Sequence, residues 1–139
     1  METWLELALL HEAGHAWLVL TVARQTVTVI IPTPGDGEDA RCEWNAENVS
    51  PARAVVTALG GLAAELLAGV PEDLAWRNAE EDIANLSALG LGEEVVERAL
   101  NLAMETLKED VEEFADFYQR LRAAVGAGLP LRWREEPGV

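Results

Sequence analysis

His11 and His15 are the only two histidines among 139 residues, and they stand four positions apart with Glu12 directly after the first. The run His11-Glu12-Ala13-Gly14-His15 therefore reads H-E-x-x-H. On a helix, positions i and i+4 share a face, close enough for both imidazoles to hold one metal ion. Zinc suits nitrogen donors, and a site with three protein ligands leaves a fourth position for water. Glu12 falls beside that position rather than on the metal. Its carboxylate is placed to take a proton from water whose pKa zinc lowers towards about 7. The competing reading is a buried, metal-free histidine pair, which would need a polar partner for both rings.

Two imidazoles alone make a poor catalytic site, and no third histidine remains. The missing ligand must be an acid, and 25 acidic residues make composition useless for choosing it. Two acids sit in suitable settings. Glu65 stands alone in the small, apolar run Gly60-Gly61-Leu62-Ala63-Ala64-Glu65-Leu66-Leu67. Asp82 lies in Asn78-Ala79-Glu80-Glu81-Asp82-Ile83 near the start of a predicted helix. The residues themselves rank the two close together and demote Asp82 somewhat, because an acid in the first turn of a helix has a plain structural reading.

These side chains need elements to carry them. Thr3 followed by Glu6 forms a capping box ahead of an apolar run, which predicts a helix from near Trp4 to about Ala23. It is apolar on most sides and so should be a central element. The β-branched run Thr26–Ile31 reads as a strand that ends at Pro32. After turn-rich residues 33–37, Asp39–Trp44 is expected to return as a weaker second strand. Ser50-Pro51 marks the start of a helix running to about Ala68, with Gly69 closing it. Gly60 and Gly61 inside that helix suggest close approach of another backbone, since each costs about 1 kcal/mol relative to alanine. Gly14 carries the same signal inside the first helix.

Pro71 opens a looser stretch. Asn78 with Glu81 resembles a second capping signal, for a helix that stops at Gly90. Apolar positions from Val96 to Val125 recur at helical spacing, as one long helix or two in series with a break near Lys108–Asp110. The expectation is a single, mainly α domain over residues 1–139, built around the H-E-x-x-H zinc site with one small β-hairpin. Residues 126–139 are expected to be a partly ordered tail.

Composition sets outer limits. The net charge of −15 disfavours nucleic acid and anionic lipid surfaces as partners. Cys42 is the only cysteine, so no disulfide can form within the chain and no cysteine-based structural zinc site can be built. The apolar segment Leu5–Val22 contains Glu6, His11, Glu12 and His15. Charged groups at mid-bilayer cost about 2.5–3.5 kcal/mol each, so a soluble, cytoplasmic protein without a membrane partner is expected.

Four segments together resemble a known family. His11-Glu12-Ala13-Gly14-His15-Ala16 resembles the H-E-A-G-H-A start of the peptidase domain of FtsH, a membrane-bound, ATP-dependent zinc protease. Val27–Pro32 is similar to its V-T-I-I-P strand, Leu59–Glu65 to its L-G-G-R-A-A-E helix, and Ala79–Ile83 to its A-x-N-D-[IL] segment. The resemblance implies a mainly helical fold, Asp82 as the third zinc ligand, and Glu65 as an acid that orients a ligating imidazole. It also implies that Val27–Ile31 is a sheet edge along which substrate lies. Glu81 departs from the family's asparagine and Leu62 from its arginine. No P-loop is present: the sole lysine, Lys108, follows Leu107.

The expected function is that of a zinc-dependent metalloendopeptidase. It would hydrolyse flexible or unfolded polypeptides, with Glu12 as general base and His11, His15 and Asp82 holding Zn2+. The alternative is a zinc-binding regulatory or protein-interaction domain with little turnover. A homo-oligomer and a separate ATPase partner both remain open.

Overall fold

The computed structural model describes residues 3–138. Its centre is α1 (Thr3–Leu18), which continues through a π-helical turn at Val19–Ala23 and reverses at Arg24, where φ is 58°. The helix has no solvent face of any width because it separates two cores. On one side Leu18 joins Val56, Leu59, Leu62 and Leu107. On the other, Leu9, Ala13, Ala16 and Val19 meet the sheet residues Val27, Val29 and Ile31, together with Phe117 and Leu121. A helix that is apolar nearly all round is the expected consequence of burial on both sides.

The first core is covered by α2 (Pro51–Ala58), α3 (Gly60–Leu67) and α6 (Glu93–Glu109). Ser50 caps α2, accepting the Arg53 backbone N–H at 3.3 Å, with Pro51 in the first turn. The single helix expected here is broken at Leu59, whose φ and ψ are −96° and 6°. The chain then turns at Gly69, in the left-handed region at φ 85°. Where a looser stretch was expected, α4 (Glu72–Asn78) forms, and α5 (Glu80–Ala88) follows after a second break at Ala79. The break between α6 and α7 (Val111–Gly126) falls at Asp110. That places α7 on the opposite core, against α1 and the sheet, while α6 stays with α2 and α3.

The sheet has three antiparallel strands, not the two of a hairpin: β1 (Val27–Ile31), β2 (Arg41–Trp44) and β3 (Leu131–Glu135), in the order β2-β1-β3. Val29 lies opposite Cys42 on one side and Trp133 on the other. Two expectations are corrected by this arrangement. The segment read as a partly ordered tail supplies β3, and β1 is the central strand rather than an edge. Leu131-Arg132-Trp133-Arg134-Glu135 alternates as a strand with one buried face must. Among the described residues, no helix is long and apolar enough to cross a membrane.

Candidate metal centre

The site begins where two helices meet at glycines. α1 packs on α3 more extensively than on any other element. Gly14 faces Gly60 so closely that a Cβ on Gly14 would collide with the Gly60 carbonyl oxygen. Neither position can carry a side chain, which explains glycine within both helices despite its conformational cost. One residue on, a Cβ on Gly61 would lie 2.5 Å from the His11 ring. Gly61 is thus the space in which the His11 imidazole sits.

Each imidazole is fixed through its Nδ1. His11 Nδ1 donates to Glu65 Oε2 at 2.7 Å. Glu65 is fully buried, and its other oxygen accepts from Asn78 Nδ2 at 2.6 Å. A carboxylate in an apolar core is tolerated because both oxygens are partnered in this way. His15 Nδ1 donates to the Thr57 carbonyl at 3.1 Å. Thr57 lies near the end of α2, where the last carbonyls of a helix lack partners within it, so the break at Leu59 serves the site.

With Nδ1 committed on both rings, the two Nε2 atoms point to one place. They are 3.1 Å apart, and Asp82 Oδ2 is 3.1 Å from each. A carbonyl can only accept, so the His15 proton sits on Nδ1 and its Nε2 presents a lone pair. The same holds for a neutral His11 facing the Glu65 carboxylate. With both rings neutral, three acceptor atoms thus converge, an arrangement that a metal ion or a proton on an imidazole relieves. The spacing also suits a metal ion, since a tetrahedron with bonds of about 2.0 Å has edges of about 3.3 Å. Among the described residues, His11, His15 and Asp82 form the metal-capable cluster.

Electrostatics carry the same message. In the metal-free protein, burial lowers the His11 pKa, but Asp82, Glu65 and Glu12 more than reverse that and raise it to about 10. A proton on His11 thus supplies the positive charge when no metal does. Burial raises the Asp82 pKa, but the facing His11 and His15 rings more than reverse that and hold it well below the usual carboxylate range. Burial pushes the Glu12 pKa up, only partly opposed by the two histidines. An elevated carboxyl pKa is what a general base working near neutral pH needs.

Glu12 lines the same cavity as His11, His15 and Asp82, a space of about 350 Å3 bordered on one side by Cys42 and Trp44 of β2. The Cys42 thiol donates to the Glu12 backbone carbonyl at 3.2 Å, tying β2 to the ligand helix. The five residues singled out from the sequence, His11, Glu12, His15, Glu65 and Asp82, are thus gathered in one place. Three contributors were not foreseen. Asn78 was read as a helix cap, but α5 starts without a side-chain cap and the Asn78 amide goes to Glu65 instead. The Thr57 carbonyl carries no signal in a sequence. The role of Gly61 was visible only as a general hint of close approach.

No protein-family model, curated protein or solved structure matches this chain.

Proposed function

We propose that the protein is a zinc-dependent metalloendopeptidase related to the FtsH peptidase domain, with His11, His15 and Asp82 as metal ligands and Glu12 as general base. The observation that carries the proposal is the convergence of two Nε2 atoms and one carboxylate oxygen, all acceptors, at 3.1 Å from one another beside Glu12. Two histidines and a carboxylate also suit iron-dependent oxygenases. A buried glutamate lining the same cavity beside the cluster favours hydrolysis instead.

A bound zinc ion supplies Lewis acidity, polarising a carbonyl and acidifying water. The protein does the rest. Glu65 and the Thr57 carbonyl hold the two imidazoles in the ligating tautomer, as acceptors behind metal-bound histidines do. Glu12 accepts the proton of the attacking water and passes it to the departing amine nitrogen. The substrate backbone lies along β2. Its outer edge is unpaired in the sheet, and its residues Cys42 and Trp44 border the cavity. Addition of a strand at such an edge holds a chain extended through main-chain hydrogen bonds, which favours flexible polypeptides.

The test is metal analysis of the purified protein together with digestion of an unstructured polypeptide. About one zinc per chain, cleavage abolished by a chelator, and a Glu12→Gln variant that keeps zinc but loses cleavage are expected. Cleavage by Glu12→Gln at the parent rate overturns the mechanism. A zinc-loaded protein that cleaves no unstructured chain overturns the activity.

A further inference from the structure

Attack of water on a peptide bond puts negative charge on the carbonyl oxygen, and a donor aimed at that oxygen lowers the barrier. Glu12 cannot supply it, because its part is to take the proton of the water. The described residues that line the metal cavity include no lysine, arginine or tyrosine. Tyr118, the only tyrosine in the chain, lies on α7 and packs against the core on the sheet side. A side-chain donor in this cavity is therefore neutral. Most neutral donors there are already committed: the Cys42 thiol goes to the Glu12 carbonyl and the Asn78 amide to Glu65. Three have no partner among the described residues, namely the Thr57 hydroxyl, the Trp44 indole N–H and the Asn85 carboxamide. The Thr57 hydroxyl is enclosed by protein, out of reach of anything in the cavity. Trp44 ends β2 and offers one N–H on a rigid ring. Asn85 is exposed and offers two on a short side chain. It stands three residues after Asp82 on α5, so the two share a helix face with Cβ atoms about 5–6 Å apart. Asp82 Oδ2 is in turn 3.1 Å from both Nε2 atoms. Of the three free donors, Asn85 is the one joined to the ligand cluster by a single helical turn.

We propose that Asn85 is a further catalytic residue, whose amide N–H donates to the carbonyl oxygen of the bond being cut as that oxygen gains charge. The inference rests on the peptidase reading above and divides the work of the protein between two side chains. Glu12 moves the proton, and Asn85 holds the charge without giving up a proton of its own. A carboxamide suits a cavity that already contains Glu12, Glu81 and Asp82. A cationic donor there would be drawn into ion pairs with those acids, whereas a neutral amide stays free for the substrate.

The experiment compares two ligands of one sequence on zinc-loaded protein. One is a peptide with an ordinary central amide, bound to Glu12→Gln protein so that it stays intact. The other is its phosphinate analogue, whose tetrahedral phosphorus carries an anionic oxygen in place of the reacting carbonyl. Asn85→Ala is expected to weaken the phosphinate about 100-fold and the amide peptide by no more than about threefold, the pattern of a contact made as charge develops. Cleavage should follow, with kcat down about 100-fold and KM little changed. Asn85→Asp, which keeps the shape and loses both donors, repeats the test, and zinc content checks both variants. Equal phosphinate binding by parent and Asn85→Ala overturns the proposal. An equal loss on both ligands also overturns it, because Asn85 then holds the substrate rather than the charge. So does a loss of zinc, because Asn85 then serves the ligand helix. A larger loss from Trp44→Phe than from Asn85→Ala moves the donor to β2 and overturns it too. The peptidase reading is scored separately on the parent protein. Phosphinate binding that depends on Asn85 without any cleavage removes the reaction and keeps the donor, whereas Asn85→Ala protein that cleaves at the parental rate removes the donor and keeps the reaction.

Discussion

The Glu65 carboxylate accepts a hydrogen bond from His11 Nδ1 at 2.7 Å, across 54 positions of sequence. That contact turns the other ring nitrogen towards His15 and Asp82. It also links the α1–α3 packing to the metal site, because Glu65 and Gly61 approach His11 from the same helix.

Replacing Glu65 with Gln keeps the shape and removes the charge. Zinc affinity is expected to fall about 10–100-fold, the usual effect of losing the partner behind a ligating histidine. Competition with a fluorescent chelator measures it, with far-UV circular dichroism as the check on folding. Unchanged affinity would mean that Glu65 only fills the core.

Asp82 and Glu81 are neighbours with different positions. Asp82→Ala is expected to weaken zinc binding more than Glu65→Gln does, because a ligand atom is lost. Glu81→Ala, at an exposed position on the rim of the cavity, removes no converging ligand atom and is expected to leave it within about twofold. The same chelator titration compares them, and equal losses would remove Asp82 from the ligand set.

Alanine for glycine inside a helix ordinarily stabilises by up to about 1 kcal/mol. Gly61→Ala should not, because its Cβ meets a ring that Glu65 holds in place. A loss of zinc affinity of about tenfold or more is expected, while Gly92→Ala, whose Cβ meets nothing, leaves affinity unchanged. Isothermal titration calorimetry separates the two variants. A Gly61→Ala protein with parental affinity would show that the ring has room to move.

Metal and proton compete for His11. The ring's pKa in the metal-free fold, about 10, exceeds its ordinary value of 6.5. Protonation therefore contributes stability that is complete below about pH 6.5 and is lost as pH rises towards 10. Chelator-treated protein should show a urea midpoint that falls between pH 7 and 10, and His11→Gln should lack that component. Zinc must displace the same proton, so apparent affinity should rise about tenfold per pH unit between pH 6 and 8. A pH-independent affinity over that range would show that the ring is not protonated in the metal-free site.

Much of the site is legible in the sequence because helical periodicity is a strong rule. A spacing of four puts His11 and His15 on one face whatever surrounds them. The approach of Asp82 is not legible by that route, since it reaches the histidines only through the path of α3, α4 and α5. Family resemblance, not residue chemistry, separated it from Glu65. Asn78 was misread because an asparagine before a helix is usually a cap, and here a buried carboxylate takes its amide. β3 was missed although Leu131–Glu135 alternates clearly. The glycines and prolines of residues 126–139 suggested a partly ordered tail, and pairing with β1 gives Leu131–Glu135 its order. The break at Leu59 has no signal beyond the glycines that follow it.

Between α1 and α3 lies peptide against peptide, with no layer of side chains at Gly14 and Gly60 to absorb movement. Most helix pairs slide on rotamers that can readjust. This pair has no such cushion, so a shift of α3 must drag the ligand helix with it. The precision with which the imidazoles are aimed is therefore mechanical, set by two rigid backbones in contact, and damage along that seam should reach the His11–His15–Asp82 cluster before it reaches the fold.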